Sequence, residues 1–207
     1  FPMACSLSAR IAALEADIEL NYHHADIFDN GELIGEAGNL RTISAMGKVP
    51  VLVTNHGDVL TESAAVLQYI ADLSPDSNLA PPCSSLGRYQ LQQWLSFVGT
   101  ELHKGFNFPT FGAGTPDSVK SWVRGEVSRP LAYVARHLEK TGDYLLGSHF
   151  SVADAYLIWA LLLIKASGFD MARWPALAAY VERTVARPRV KSAVDLEWAM
   201  SKSGNAS

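Results

Sequence analysis

The chain has 207 residues, 48% of them hydrophobic and 18% charged, with a formal net charge of -4. So apolar a chain cannot stay disordered in water, and the length suits one large domain or two small ones around a sizeable core. The mild acidity excludes partners recognised through concentrated Lys and Arg, so neither nucleic acid nor an anionic membrane is expected. Cys5 and Cys83, the only cysteines, cannot make a disulfide framework, and a reducing cytoplasm is the default compartment.

The pattern at the start predicts a helix over residues 4–16, with Leu7, Ile11 and Leu14 on one face. A strand follows over 22–27, then a Gly-rich, acidic loop over 29–39. Residues 49–54 are a short apolar run, and Asn55-His56-Gly57-Asp58 before Val59-Leu60 reads as a hairpin. A helix over 62–73 is stopped by Ser74-Pro75. The turn formers of 74–85 make a linker. Beyond it the pattern is helical only: 86–106 with Leu91, Leu95, Val98 and Leu102 as an apolar stripe, 118–140 bent at Pro130, 151–165, 175–187 and 188–200. The longest apolar run, 155–164, is far short of the roughly 20 residues that cross a bilayer and reads as a buried helix. No signal-peptide pattern precedes it.

Several residues could carry chemistry, each beside a plainer reading. Cys5 lies where a loop enters a helix, so free amides and the helix dipole would favour an exposed thiolate of lowered pKa. A buried, inert thiol is the alternative. Gly47-Lys48-Val49-Pro50 puts a proline at a strand start. A cis bond there would turn the Val49 backbone outward toward an extended peptide, while an ordinary edge-strand proline fits equally. Thr61 or Glu62 would cap the next helix, and Glu62 with Ser63 would suit a zwitterionic amino-acid end. On the long helix, Gln92, Ser96, Thr100 and His103, with Lys104 adjacent, form a polar strip facing either a cleft or solvent. Ser151-Val152-Ala153-Asp154 has capping-box spacing with Phe150 as staple, a folding device. His23, His24, His56, His137 and His149 show no metal-ligand spacing, and no phosphate loop, nucleophile elbow or zinc motif is present.

In order, Pro2-Met3-Ala4-Cys5-Ser6-Leu7-Ser8, Gly47-Lys48-Val49-Pro50, Leu60-Thr61-Glu62-Ser63, Gln68-Tyr69-Ile70-Ala71-Asp72, Thr100-Glu101-Leu102-His103-Lys104-Gly105-Phe106 and Phe150-Ser151-Val152-Ala153-Asp154-Ala155-Tyr156 resemble the cytosolic glutathione transferases, most closely the bacterial beta class. The resemblance implies an α/β thioredoxin-like N-terminal domain (1–78), a linker (79–85) and an all-α C-terminal domain (86–207) holding the electrophile pocket. It implies a homodimer with glutathione as co-substrate, a small hydrophobic electrophile as second substrate, and no metal. Cys5 would sit beside the glutathione sulfur and be able to form a mixed disulfide with it, and His103 would approach the same sulfur. Ala4, Val49, Pro50, Glu62, Ser63, Ser96, Thr100, Glu101 and Lys104 would complete the site, some reached from the partner subunit.

The sequence departs from the family in three places. Ser96 stands where the class has Asn. The 29–39 loop has no Lys for the glycine carboxylate and two extra residues before Val49. The family's first strand, about five residues, would precede Phe1. The resemblance also admits a specialised glutathione-dependent dehalogenase, ether-cleaving enzyme or isomerase, and at a distance a non-catalytic interaction module.

Overall fold

The computed structural model describes residues 1–27 and 32–204. An α/β part comes first: α1 (Ser6–Glu15), β1 (Ala25–Ile27), β2 (Leu33–Gly35), β3 (Gly38–Asn39), β4 (Val51–Val53), β5 (Val59–Thr61) and α2 (Ser63–Leu73). A helical part follows: α3 (Leu86–Phe97), a π-helical segment (Val98–Asn107), α4 (Phe108–Phe111), α5 (Asp117–Glu126), α6 (Ser128–Thr141), α7 (Val152–Ala166), α8 (Pro175–Val185) and α9 (Pro188–Gly204).

Strand pairing is antiparallel throughout. β1, β2 and β3 form one sheet, with Asp26 opposite Ile34 and Ile34 opposite Asn39; β4 and β5 form another, with Leu52 opposite Leu60. No strand among the described residues joins the two. The expected 29–39 loop is a β2–β3 hairpin from Leu33 onward, and residues 29–31 of that stretch lie outside the described residues. Gly35 is what lets β2 lie against β1: a Cβ there would sit 1.9 Å from the His24 carbonyl oxygen. The expected 22–27 strand pairs only from Ala25.

The helical expectations hold with two corrections. The 118–140 helix breaks at Val127, between α5 and α6, not at Pro130. Pro130 falls in the first turn of α6, where its missing N–H has no helical partner to lose. The long helix loosens to a π helix from Val98, so residues four to five apart share a face. Gly105 permits this, because a Cβ there would lie 2.9 Å from the Thr100 carbonyl oxygen. Leu91, Leu95, Val98 and Leu102 are all buried, as the stripe requires.

The core is centred on α7, whose residues Val152, Leu157, Ile158, Leu161 and Ile164 are fully buried. Each such side chain contributes about 1.5–3 kcal/mol relative to exposure. The capping box forms: Asp154 accepts from the Ser151 backbone N–H at 2.9 Å and from its hydroxyl at 2.6 Å. Phe150 is buried, packing edge-on to Tyr144 at 5.6 Å.

The two parts are tied together at several points. Arg88 of α3 holds Asp72 of α2 with two bonds of 3.1 and 2.5 Å, and Arg187 holds Glu15 of α1 with bonds of 2.8 and 2.7 Å. α1 therefore lies between α2 on one side and α7 and α9 on the other, which brings its N-terminus up to the helical part.

Candidate active site

Cys5 caps the N-terminus of α1, and no side chain satisfies the leading amides. The Leu7 and Ser8 amides turn back to the Ala4 and Cys5 carbonyls at 3.0 and 3.1 Å, and the positive end of the helix dipole lies at this position. Two residues upstream, the Met3 peptide is clamped from both sides. Its N–H donates to Glu197 of α9 at 2.8 Å, and its carbonyl accepts the Trp159 indole N–H of α7 at 3.0 Å. Met3 has φ 61°, a left-handed conformation that costs a residue with a Cβ about 1–2 kcal/mol. These two bonds hold it there.

The Cys5 thiol is buried, 4% exposed, and donates to the Val49 carbonyl at 3.0 Å. Burial pushes it up to about 11, outweighing the Ser63 hydroxyl and the Lys104 charge, which pull it down. The expectation of an exposed, acidified thiolate is overturned: loss of hydration exceeds what one helix terminus returns. The resting group is a protonated thiol. The Val49–Pro50 bond is cis, and Pro50 is buried immediately before β4.

At the start of α2 the residue in the cap position is Glu62, with φ 65° and ψ 124°. Neither Thr61 nor Glu62 caps the helix through its side chain, contrary to the sequence expectation. The Ala65 and Val66 amides turn back to the Glu62 carbonyl, both at 3.0 Å, which leaves the Ser63 and Ala64 amides, unpartnered among the described residues, for an anion. Ser63 is buried, and its hydroxyl is a hydrogen-bonding neighbour of both the Cys5 thiol and the Tyr156 hydroxyl.

His103 reaches this region from the π-helical segment. Its Nδ1 is 2.7 Å from the Tyr156 hydroxyl, and its ring stands edge-on to Trp159 at 4.7 Å. Burial, aided by the Lys104 charge, lowers the imidazole to about 4, so it is neutral at pH 7. Lys104 and Lys48 both lie over the exposed Phe108 ring, at 4.8 and 5.6 Å. Neither ammonium has a carboxylate partner among the described residues.

The anticipated residues thus separate into two groups. Ala4, Cys5, Val49, Pro50, Glu62, Ser63 and His103 belong to the region where α1, β4, α2 and the π-helical segment converge. Ser96, Thr100 and Glu101 are exposed and line a different groove of about 910 Å³, bounded by α3, the π-helical segment, α5 and α6. Lys104 borders that groove too, but Cys5, Val49 and Ser63 do not.

Tyr156, Trp159, Glu197 and Lys48 are positioned at the site and were not singled out from sequence. Tyr156 carried a faint signal, a polar aromatic inside an otherwise apolar helix. The Glu197 contact, 194 residues from Met3, had none. Among the described residues no group of three or more His, Cys, Asp or Glu could hold a metal.

The N-terminal-domain profile of the glutathione S-transferases matches residues 2–73, and their C-terminal-domain profile matches residues 88–183. The chain belongs to the glutathione S-transferase family. It is 34% identical over 200 residues to glutathione S-transferase GstA of Escherichia coli O157:H7, covering 95% of this chain and 96% of that protein. Among solved structures it is similar to a sphingomonad glutathione S-transferase complexed with glutathione, at 40% identity and TM-score 0.87, covering 95% and 96% of the two chains. The beta-class enzyme of Sphingomonas chungbukensis matches at 38% identity, TM-score 0.87 and the same coverage. The chain is therefore a glutathione transferase with the fold of that family, and its solved neighbours include the bacterial beta class.

Proposed function

We propose that this glutathione transferase binds glutathione in the cleft formed by α1, β4, α2 and the π-helical segment, and presents its sulfur to a small hydrophobic electrophile. The observation that carries this reading is the convergence of two helix N-termini without side-chain caps with Cys5, the Val49 carbonyl, Ser63 and His103. Such a site favours thiolate over thiol through amide donors and holds it against the second substrate. Glutathione is a co-substrate here, and no resident metal is part of the reading.

The roles follow from geometry. The Val49 backbone pairs with the cysteinyl part, between Ala4 and Pro50. Glu62 and Ser63, with the open amides of α2, take the zwitterionic γ-glutamyl end. A peptide lying antiparallel to Lys48-Val49-Pro50 leaves its C-terminal carboxylate beside Lys48. Lys48 and Lys104, which share Phe108 and have no counter-ion among the described residues, supply the charge that residues 32–39 do not. Ser96, Thr100 and Glu101 face away from this cleft and serve a partner's site in a homodimer. Trp122, Tyr89 and Phe111, at 66%, 60% and 51% exposure, border the face a second copy would cover. Cytoplasmic residence fits the reduced cysteines, and no helix among the described residues is long and apolar enough to cross a membrane.

Cys5 adds a redox route. Cys5, once its thiol proton has passed to solvent, attacks the glutathione sulfur of a mixed disulfide, expelling the other thiolate, which takes up a proton, and forming a Cys5–glutathione disulfide. A second glutathione thiolate then releases oxidised glutathione and restores Cys5. Cys5→Ala is expected to abolish disulfide reduction while conjugation of a chlorodinitrobenzene persists. Equal retention of both activities would remove any covalent role for Cys5.

A further inference from the structure

We propose that Tyr156 is a positioning residue for the sulfur chemistry: its hydroxyl donates to Nδ1 of His103 and so presents Nε2–H to the cleft as a hydrogen-bond donor. The inference rests on the transferase reading of this cleft and assigns His103 the part of a fixed donor instead of a base.

The π-helical register makes the contact. Gly99, His103 and Asn107 share the face turned to α7. A Cβ on Gly99 would lie 3.7 Å from the Tyr156 hydroxyl, and Asn107 donates to the Ala160 carbonyl at 3.2 Å. His103 between them has little freedom. It meets the rings of Tyr156 and Trp159 edge-on, at 5.9 and 4.7 Å, and those two rings are stacked at 5.7 Å. Trp159 is in turn fixed by its bond to the Met3 carbonyl. With Nδ1 occupied at 2.7 Å, Nε2 is the only ring nitrogen without a partner among the described residues.

Chemistry selects the direction of that bond. Burial holds Tyr156 protonated, well above its ordinary value, and holds His103 neutral. One proton then lies between a phenol and an imidazole nitrogen. The phenol is the better donor and the imidazole nitrogen the better acceptor, so the proton stays on Tyr156 and Nε2 keeps its own. Ser63, a neighbour of the Tyr156 oxygen, can donate to it without competing for that proton. His103 in this tautomer stabilises a developing thiolate by hydrogen bonding, and the glutathione proton leaves to solvent and not to the ring.

The test begins on the free protein with two-bond proton–nitrogen correlation spectra of the 15N-labelled chain. The expected pattern is a protonated Nε2 and an unprotonated Nδ1 at neutral pH. A protonated Nδ1 would overturn the proposal. In Tyr156→Phe, which removes one oxygen, the two tautomers should mix and kcat should fall about tenfold or more with the glutathione KM nearly unchanged. An unchanged tautomer, or a KM rise that accounts for the whole loss, would likewise overturn it. Because the spectra need neither ligand nor variant, they decide the assignment even if Tyr156→Phe does not fold. Failure of the wild-type chain to bind glutathione would instead strike the transferase reading of the cleft.

Discussion

Replacing Asp154 by alanine removes the most heavily used carboxylate in the core. One oxygen accepts from the Leu145 N–H and the Tyr180 hydroxyl, both at 3.0 Å. The other accepts from the Ser151 N–H at 2.9 Å and the Ser151 hydroxyl at 2.6 Å. Asp154 is fully buried, so water cannot replace it. The serine hydroxyl can rotate away and the Tyr180 hydroxyl keeps its 3.4 Å contact with the residue-154 carbonyl, which leaves two orphaned amides at about 1–3 kcal/mol each and a weakened third bond, an expected loss of about 3–5 kcal/mol. For a chain of this size that lowers Tm by about 6–20 °C.

Asp154→Asn separates hydrogen bonding from packing. Its oxygen can still serve Leu145 and Tyr180, but its amide nitrogen meets the Ser151 N–H donor to donor, at a cost of about 1–3 kcal/mol. Urea unfolding followed by circular dichroism gives both values, with an unchanged m confirming a shift in stability alone. The expected order is wild type, then Asn, then Ala. An alanine variant within about 1 kcal/mol of wild type, or an asparagine variant as damaged as alanine, would refute the reasoning.

Three further outcomes follow from the same geometry. Glu197→Ala leaves the Met3 N–H and the Arg10 guanidinium, 3.0 Å from Glu197, without their acceptor; unfolding should show a loss of about 2–4 kcal/mol, and Glu197→Gln, whose amide nitrogen meets one of the two donors, should recover only part of it. Iodoacetamide should label exposed Cys83 long before Cys5 at neutral pH, and the Cys5 rate should climb about tenfold per pH unit until its thiol titrates at about 11; equal labelling at pH 7 would contradict the buried thiol. His103 is held down at about 4 against an ordinary 6.5, with Lys104 on its own segment and Tyr156 on α7 as the titratable groups against it. Its neutral form contributes stability above the unfolded value, lost as pH falls through the folded value, so His103→Gln should flatten the acid limb of the stability profile between those two pH values.

The fold was legible wherever hydrophobic spacing was long and regular. The stripe Leu91, Leu95, Val98, Leu102 and the run through α7 announced buried helices, and Ser151 with Asp154 announced the cap between them. Short elements were less legible: β2 and β3 have three and two residues, too few for a period to show, and Gly35 and Gly38 read as loop. At the site, Cys5, Val49, Pro50 and Ser63 could be named because each lies at a helix or strand start, where sequence punctuation is strongest. The sequence leaves Cys5 between an acidified and a buried thiol because a position at a helix terminus says nothing of burial. Tyr156 acts through the packing of α7 on the π-helical segment and Glu197 through that of α9 on α1, which no local pattern encodes.

The most direct measurement is calorimetric titration of the wild-type protein with reduced glutathione, repeated with Lys48→Ala. One site per chain with a dissociation constant in the millimolar range or tighter, weakened in the variant, is the result this account predicts. No heat of binding at millimolar glutathione, in protein shown to be folded, would contradict it.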